Sequence, residues 1–567
     1  MPRALKFALS SLLIGLMSVG LAYAGAILVP TSKTSIASGG TKKASIIADL
    51  PAQAEGEQGG GNNHITPAPG TVLAGAAKIS LEPKPGPNDV WQHTMEECAT
   101  LSENGLPPNP DHLAVAGSPW PENPNCIYMG GFGIGPMNPV TTWDTEDYDP
   151  STPQDCVSNA GATNENPDAG FDGCGVWVRS FAVKGPNGKT FTMTIIDSEG
   201  YLWDYKNKCD DCGIKQITAE LAADPDLGLQ ADGIIIGATH THSGPEFLGG
   251  WGFVPDWYME QVHTAITDSV RQAVLSMEPA VLEAGEEMAR PYNNERRDTY
   301  RSAEEQELTW LRAIGTNGNG SPTPKTIATI GAYAAHPTAN GTNDGRASSD
   351  WPGAFERRVE DRFGGVGLYF MTGLGNMSNS GGMAIGAKLA DLIPGVGDGL
   401  RLDKTDVTYN HTEWVHPATN VPLTALGFPG FFDREFVTQP SEVRTGKSPD
   451  TAPCESASPV SVEMPANAMR IGDQFALTAS PGEIFSNISN TIKEKSDAEI
   501  TMPLAQTMDA LGYMPQSIEL SPIGQQGLGF AVSGVLVVNY EDSYSVDRCM
   551  GDKVLETAIS LLNGLPR

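Results

Sequence analysis

The sequence of 567 residues has few basic residues, with 36 Lys and Arg against 68 Asp and Glu and a formal net charge of −32. A surface this negative repels nucleic acids and anionic lipid headgroups, which argues against both as partners. Beyond residue 29, no apolar run is long enough to span a lipid bilayer. Hydrophobic residues still make up 40% of the chain, which is enough for a substantial core and excludes wholesale disorder.

Cysteine is also scarce, and its pattern bears on the compartment. The eight cysteines are an even number behind a candidate export segment, which indicates up to four disulfides in an oxidising compartment. Cys209 and Cys212 form a CxxC pair that could begin a zinc clip. No second CxxC or nearby histidine pair completes such a clip, so a small disulfide-closed loop is the favoured interpretation.

The N-terminus is typical of an export signal. Arg3 and Lys6 precede an uncharged run of 23 residues from Phe7 to Val29, and Ala22 and Ala24 supply the small residues that a signal peptidase reads. Residues 1–24 are therefore expected to be a signal peptide, with an uncleaved N-terminal anchor as the alternative. Either outcome predicts a secreted, periplasmic or cell-surface protein, and cleavage would leave no stable membrane span.

The remaining chain divides into a linker and a folded body. Residues 25–75 are rich in Gly, Ala, Ser and Pro, a composition that predicts a flexible low-complexity linker. Residues 76–567 show no convincing internal linker and are expected to form a single large catalytic domain. Short apolar runs predict strands at Thr190–Ile196, Gly233–Ala238, Ile327–Ala335, Val366–Thr372 and Val532–Tyr540.

Helices are predicted between these strands, and the mixture indicates the fold class. The candidate helices are Asp256–Met277, Gly353–Arg362, Ile484–Lys495 and Cys549–Leu562. Interleaved strands and helices predict an α/β fold with mixed β-sheets flanked by helices. Two segments that are dense in Pro, Asp and Thr, 138–174 and 395–467, are predicted to be elaborated loops.

Two of the nine histidines occur together where a predicted strand ends. His240 and His242 alternate in the segment Thr-His-Thr-His-Ser-Gly-Pro, directly after the apolar run Gly233–Ala238. The rim of a sheet is where α/β enzymes usually assemble their sites, and neutral imidazole is a common zinc ligand. An HxH pair also occurs often by chance, and the alternative is a pair of polar turn residues or a histidine satisfied in the core.

Three further polar residues follow apolar segments in the same way. His336 lies in Ala-Ala-His-Pro-Thr, Glu483 in Ser-Pro-Gly-Glu, and Tyr513 in Gly-Tyr-Met-Pro. Glu483 alone could simply stabilise the start of a helix through the helix dipole. Together with His240, these residues form a set of two histidines, one carboxylate and one tyrosine that would suit a zinc ion.

The four motifs, in this order, resemble those of the neutral, or non-lysosomal, ceramidases, and the resemblance covers most of residues 120–567. It extends to the catalytic domain of that family and not to the immunoglobulin-like domain that many members carry after it, since 27 residues follow Tyr540. The resemblance implies one zinc ion per chain, held by His240, His336, Glu483 and Tyr513. It further implies that His242 is an active-site acid/base or oxyanion-binding group.

The resemblance also implies weaker matches elsewhere in the chain. Arg296 and Arg297 lie where the family has an arginine that lines the site, and the alignment does not choose between them. Both are therefore candidates, Arg296 as a catalytic residue and Arg297 as a substrate-binding residue. Ser378 lies in the position of a functionally required serine and is therefore a catalytic candidate, although Asn376 and Asn379 replace the Asp and Pro of the family motif.

Asp350, in Ser-Ser-Asp-Trp-Pro-Gly, partly matches a further family stretch and is a second substrate-binding candidate. A serine nucleophile is the rival mechanism, but no GxSxG motif surrounds Ser378.

These implications define the expected function. The family's chemistry predicts an exported zinc-dependent amidohydrolase that uses zinc-activated water to cleave the N-acyl amide bond of ceramide, or of a related N-acyl lipid, to a fatty acid and an amine such as sphingosine. The first alternative is a metal-dependent amidase or esterase of the same fold that acts on a non-ceramide substrate, such as a small-molecule N-acyl amide. The second is a non-catalytic surface protein that retains the fold.

Overall fold

Two mixed β-sheets, one of nine strands and one of four, form the centre of the fold. The structure is a computed structural model that describes residues 66–83, 126–130, 140, 142–143 and 175–566, apart from 207, 210, 250–253, 298–303, 318–320, 341–345, 422, 425–432, 435, 448–451 and 522–538. The described residues all belong to one compact unit. The predicted signal peptide at 1–24 and most of the predicted linker at 25–75 lie outside the described residues.

The strands are short except in the centres of the two sheets. In chain order they are β1 (Val72–Ser80), β2 (Thr142–Trp143), β3 (Trp177–Lys184), β4 (Thr190–Ile196), β5 (Ile234–Ala238), β6 (Glu278–Met288), β7 (Asn293–Glu295), β8 (Glu307–Thr316), β9 (Pro322–Tyr333), β10 (Arg346–Ala347) and β11 (Val366–Met371). The second half adds β12 (Met377–Asn379), β13 (Leu400–Arg401), β14 (Val407–Pro417), β15 (Ser441–Arg444), β16 (Glu455–Ser458), β17 (Ser461–Ile471), β18 (Phe475–Ala479), β19 (Glu483–Ile484), β20 (Ile500–Leu504) and β21 (Tyr513–Met514).

The α-helices of the described residues lie between and after these strands. They are α1 (Ile214–Ala223), α2 (Asp256–Leu275), α3 (Asp350–Phe363), α4 (Ala384–Leu392), α5 (Ser486–Lys495), α6 (Tyr540–Ser543) and α7 (Met550–Asn563). Helix α3 ends where Gly364 takes a φ of 73°, a left-handed conformation that glycine adopts without a steric cost. Within the described residues, no helix is both long enough and apolar enough to cross a lipid bilayer.

The nine-stranded sheet has the strand order β11-β9-β8-β6-β1-β3-β4-β5, with β13 paired to β6. Its two outer pairs, β11 with β9 and β4 with β5, are parallel, and the inner pairs are antiparallel. Helices α2 and α3 pack on one face of this sheet. A Cβ added at Gly75 would lie 2.2 Å from the carbonyl oxygen of Ala273 in α2, and one added at Gly331 would lie 2.2 Å from the Phe355 ring in α3. Glycine at these two positions therefore sets how closely the helices approach the sheet.

The second sheet, in the order β14-β17-β18-β20, covers the other face of the large sheet. Phe191 of β4 meets Tyr409 of β14 across this interface, with ring centroids 5.9 Å apart. Helices α5 and α7 pack on the outer face of the second sheet. The molecule is thus layered as helix, sheet, sheet and helix, which confirms the predicted α/β class with mixed sheets flanked by helices.

The segment 505–508 joins the ends of the two outermost strands of the large sheet. The Ala505 amide donates to the carbonyl of Met371, at the end of β11, and the Ala238 amide, at the end of β5, donates to the carbonyl of Gln506. A second pair of bonds ties Thr507 to Ser480, just after β18. One short segment thus contacts the ends of β11 and β5, at opposite edges of the large sheet, and the end of β18 in the second sheet. The large sheet therefore has to curl, and the residues that follow β5, β9 and β18 meet in one place.

Most strands and helices predicted from apolar runs are present within a few residues of the expected bounds. Strands β4, β5, β9 and β11 and helices α2, α3, α5 and α7 correspond to the predicted elements. The strand predicted at Val532–Tyr540 lies outside the described residues except for its last two, and Tyr540 begins helix α6. The loop predicted at 138–174 also lies largely outside them.

The prediction of a long loop at 395–467 was wrong. This segment contains β14 and most of β17, which pair over eleven residues as half of the second sheet. Strand β14 was not predicted because most of its side chains are at least partly exposed and many of them are polar. The folded body also begins before residue 76, because β1 starts at Val72.

Two disulfides join cysteines of the described residues. One closes the Cys209–Cys212 loop, as the sequence predicted. The other joins Cys454 to Cys549, which are 95 residues apart, and ties the segment before β16 to the start of α7.

Candidate active site

Three potential metal-ligating side chains converge at the strand ends that the 505–508 segment joins. His240 follows β5 by two residues, His336 follows β9 by three, and Glu483 begins β19. All three are buried, and their nearest ligand atoms lie within 4.8 Å of one another. Side chains brought this close from three separate parts of the chain form a preorganised cluster that the fold itself imposes.

His240 is held in one orientation by its Nδ1 atom. That atom lies 2.6 Å from the carbonyl oxygen of Glu199, so the ring donates there and turns Nε2 towards the cluster, 3.6 Å from a carboxylate oxygen of Glu483. His240 has a φ of 61°, which is unusual for a residue with a side chain and costs of order 1–3 kcal/mol. Burial lowers the pKa of His240 to about 4, so the imidazole is neutral at pH 7 and able to bind a metal ion.

His336 is oriented in the same manner on the opposite side of the cluster. Its Nδ1 donates to the carbonyl oxygen of Met377 at 2.8 Å, and its Nε2 lies 3.0 Å from Glu483 and 3.3 Å from the Tyr513 hydroxyl. Burial, and then the nearby Arg296, lower the pKa of His336 to about 3. Both histidines therefore use the backbone to present a neutral Nε2 to one point.

Glu483 and Tyr513 are neighbours because β19 and β21 pair in parallel with these two residues in register. Burial raises the pKa of the Glu483 carboxyl and holds the pKa of Tyr513 well above its usual value. A buried carboxylate needs a compensating positive charge. Arg296 acts against the rise in the Glu483 pKa, but it is itself paired with Glu541, and the two histidines are neutral. A divalent cation would supply that charge, so the chemistry of the cluster fits the metal ion that the sequence predicted.

The donor types also fit zinc in particular. Two imidazole nitrogens, one carboxylate oxygen and a phenol oxygen are ligands of the kind that zinc accepts, and the second bonds of both histidines to carbonyl oxygens are typical of metal sites. A second group, Cys209, Asp211 and Cys212, has compatible spacing, but its two cysteines form a disulfide and do not offer thiolates. Of the described residues, the His240 cluster is thus the metal-site candidate.

Arg296 and Arg297 point in different directions. The Arg296 guanidinium donates to the Tyr513 hydroxyl at 2.9 Å, to the carbonyl of Gly375 at 2.8 Å and to Glu541 at 2.9 Å. Arg297 instead donates to Glu541, Asp542 and the carbonyl of Glu519, and its guanidinium lies over the Phe485 ring. Arg296 is therefore the arginine that reaches the cluster, and these contacts give Arg297 a supporting position behind it.

Ser378 and Asp350 lie beside the cluster. Ser378 pairs with Asn294 in the short β12–β7 ladder, next to Met377, whose carbonyl orients His336. Asp350 is fully buried at the start of α3, where its carboxylate accepts from the backbone amides of Asn340 and Trp351. Neither lines the cavity at the cluster, although the neighbouring Trp351 donates to the carbonyl of His336.

Asn376 occupies the place of the aspartate in the motif that Ser378 resembles. Its carboxamide donates to Glu295 and to the Ser486 hydroxyl and accepts from the Ser486 amide. Both the NH₂ group and the oxygen of the carboxamide are thereby bonded, so Asn376 fixes the loop before β12 against the start of α5.

His242 completes the group of histidines. Its Nε2 lies 3.4 Å from Nε2 of His240, and its Nδ1 lies 3.9 Å from the carboxylate of Glu199. The side chain is 8% exposed and borders the cavity, whereas the two histidines of the metal cluster are more deeply buried. A histidine between a carboxylate and the cluster is well placed to accept and return a proton.

A cavity of about 110 Å³ borders the cluster and has a mainly apolar lining. Besides His240, His242, Glu483 and Tyr513, its walls include Leu202, Leu248, Leu423, Phe436, Leu511, Val546, Tyr540 and Tyr544. Arg434 also lines it, but both its NH groups are bound by the Asp509 carboxylate at 2.6 and 2.7 Å. The cavity thus combines the polar groups of the cluster with aliphatic and aromatic side chains.

Sequence reasoning missed Glu199 and Gln506 in this site. Glu199 follows β4 in Asp-Ser-Glu-Gly, a carboxylate at a strand end that the same search could have found. No sequence pattern marks Gln506 as a site residue, because it follows an ordinary apolar strand and its contact with His240 joins residues 266 positions apart in the chain.

Comparison with known proteins shows the fold. Neither a family model nor a curated protein sequence matches the chain. The crystal structure of neutral ceramidase from Pseudomonas aeruginosa aligns with a TM-score of 0.53 and 14% identity over 87% of this chain and 74% of that chain. The structure of a ceramidase complexed with C2 aligns with a TM-score of 0.52 and 13% identity over 87% of this chain and 75% of the other. The chain therefore has the fold of the neutral ceramidases, the family that its motifs resemble.

Proposed function

We propose that the protein is an exported zinc-dependent amidohydrolase that cleaves the N-acyl amide bond of ceramide or of a related N-acyl lipid to a fatty acid and an amine. The observation that carries the proposal is the convergence of His240, His336 and Glu483 beside a cavity that His240 and Glu483 border and whose lining is mainly apolar. The ceramidase-like fold supports the same chemistry.

His240, His336 and Glu483, with Tyr513 beside them, would hold the metal ion. Zinc, when bound, supplies Lewis acidity that activates water and polarises a carbonyl group. The protein contributes the orientation of the ligands, because backbone carbonyls fix both imidazoles before any metal binds. It also excludes bulk water, since all four side chains are at most 6% exposed.

His242 and Arg296 are the residues that would act on the substrate. His242 can accept a proton at Nε2 and deliver it to the leaving nitrogen, which has to depart as a protonated amine. Arg296 places a positive charge against the Tyr513 hydroxyl, 2.9 Å away, and so stabilises negative charge that develops on oxygen atoms at this end of the cavity. We assign Ser378, Asp350 and Arg297 to the support of these groups.

The lining of the cavity supports an acyl substrate. Leu202, Leu248 and Phe436 offer an aliphatic and aromatic surface on which a hydrocarbon chain would be removed from water. Export is supported by the two disulfides, since such bonds persist in oxidising compartments.

Turnover of a fluorescent N-acyl sphingosine by the purified protein, compared with a simple N-acyl amide, tests the proposal. We expect hydrolysis of the sphingosine amide and loss of at least about a hundredfold in His242→Ala. His263→Ala is the matched control, because His263 lies on α2 and contacts Glu220 instead of the site. Hydrolysis of the simple amide alone would contradict the assignment of a lipid substrate. A protein that hydrolyses neither compound would contradict the proposal that it is an enzyme of this kind.

A further inference from the structure

The carboxamide of Gln506 occupies an unusual position between the metal cluster and the cavity. Gln506 is 3% exposed, lines the cavity, and approaches Nδ1 of His240 to 3.2 Å. Its φ is 50°, a left-handed conformation in which a glycine would be free of strain. The backbone bonds of the 505–508 segment maintain this conformation, which directs the side chain at the site.

The hydrogen bonds of His240 decide which end of the carboxamide faces the cavity. Nδ1 lies 2.6 Å from the carbonyl oxygen of Glu199, which can only accept, so Nδ1 carries the ring proton. An amide NH₂ group cannot donate to a nitrogen that is itself a donor. The structure places Nε2 at the carboxamide end that lies 3.2 Å from Nδ1, but the two ends have nearly the same shape and two donors do not bond to each other. We therefore turn the amide around and assign Oε1 to this end, where it shares the Nδ1 proton with the Glu199 carbonyl.

This assignment leaves the NH₂ group of Gln506 at the other end of the carboxamide. The atom placed there, the carboxamide oxygen, is buried and accepts no hydrogen bond from the described residues. After the amide is turned around, the NH₂ group at this end needs an acceptor, because a buried donor without one costs about 1–3 kcal/mol. The cavity that Gln506 lines is where a ligand would supply one.

We propose that Gln506 is a substrate-binding residue, whose NH₂ group donates a hydrogen bond to an oxygen atom of the substrate while its Oε1 accepts from His240. The inference rests on the proposed function, because the oxygen belongs to the carbonyl or hydroxyl groups of an N-acyl amide. Gln506 would thus join the substrate to the residue that orients the first metal ligand.

The variant Gln506→Glu separates this role from a purely orienting one. A glutamate keeps the shape and still accepts from His240, and carboxylate partners are common for metal-bound histidines. An orienting role would therefore survive the change. A substrate-binding role would not, because a carboxylate oxygen replaces the donor and repels the oxygen of the substrate.

The experiment measures zinc content, thermal unfolding, binding of a fluorescent N-acyl sphingosine and its turnover for wild type, Gln506→Glu and Gln506→Ala. We expect both variants to fold and retain zinc, with kcat/KM lower by about tenfold in Gln506→Ala and by roughly a hundredfold in Gln506→Glu. Gln474→Glu is the control for the charge change, because Gln474 contacts Asp403 and Arg401 away from the site.

The outcomes distinguish the two proposals. Turnover of Gln506→Glu within about threefold of wild type would overturn the role of Gln506 and leave the proposed function standing. Wild-type protein that binds the amide without hydrolysing it would overturn the proposed function, and weaker binding by Gln506→Glu would then still support the role of Gln506. If Gln506→Glu fails to fold, unimpaired binding and turnover by Gln506→Ala would overturn the role of Gln506. Wild type that neither binds nor hydrolyses the amide would overturn both.

Discussion

The adjacent residues Arg296 and Arg297 provide a sharp test of the site, because both contact Glu541 but only Arg296 reaches Tyr513. The perturbation is lysine at each position in turn, which keeps the charge and removes the planar fork of donors. We expect Arg296→Lys to lower turnover by roughly a hundredfold, since it removes a preorganised donor from the site. Arg297→Lys should leave turnover within a few-fold of wild type.

The expected cost in stability is similar for the two variants. Each arginine donates to three acceptors, of which at least one is a buried carboxylate. A lysine can replace only part of each set, and hydrogen bonds to charged groups are worth about 1.5–3 kcal/mol each. Arg296 is 27% exposed, so water replaces part of its loss, and we estimate about 2–3 kcal/mol for either variant.

Urea unfolding gives the stability of both variants, and hydrolysis of a fluorescent N-acyl sphingosine gives their activity. Equal stability losses with unequal turnover would support the assignment of Arg296 to the site. The reasoning would be refuted if Arg297→Lys lost as much turnover as Arg296→Lys, because activity would then follow stability instead of the contact with Tyr513.

Three further predictions concern stability. Gly331→Ala should cost about 1–3 kcal/mol, because the new Cβ would lie 2.2 Å from the buried Phe355 ring, whereas Gly446→Ala, with its nearest atom at 3.7 Å, should be nearly neutral in urea unfolding. Replacing both Cys454 and Cys549 by serine should lower the free energy of unfolding by about 2–5 kcal/mol, and an unchanged unfolding midpoint in the absence of reductant would contradict this. Burial raises the pKa of Asp197 to about 6, above its value in the unfolded chain. The protonated carboxyl therefore contributes to stability below about pH 4, and this contribution is lost as the pH rises through 6. Asp197→Asn should remove this loss of stability, which a comparison of unfolding at about pH 4 and about pH 7 would detect.

The sequence predicted the large sheet better than the second one for a physical reason. Strands β4 and β5 are buried along their whole length, and their sequences are rich in apolar and β-branched residues that predict buried strands. Strand β14 is half-exposed and carries polar side chains such as Asn410 and His411, so its composition resembles a loop. The pairing of β14 with β17, which the sequence does not reveal, is what makes it a strand.

The candidate site shows the same limit. The motifs singled out His240, His336, Glu483 and Tyr513, and the structure brings these four side chains together. Their meeting depends on the curl of the large sheet around the 505–508 segment, which involves contacts across more than 100 residues of chain. Gln506 belongs to that segment, so only the folded structure places it beside His240.

Zinc content is the most direct test of the central claim, that His240, His336 and Glu483 form a metal centre. The account predicts about one zinc ion per wild-type chain, and loss of most of it in His240→Ala and His336→Ala, with His263→Ala unchanged. Removal of the metal by a chelator should abolish turnover, and added zinc should restore it. A folded wild-type protein that contains no metal and binds none when zinc is added would contradict the account.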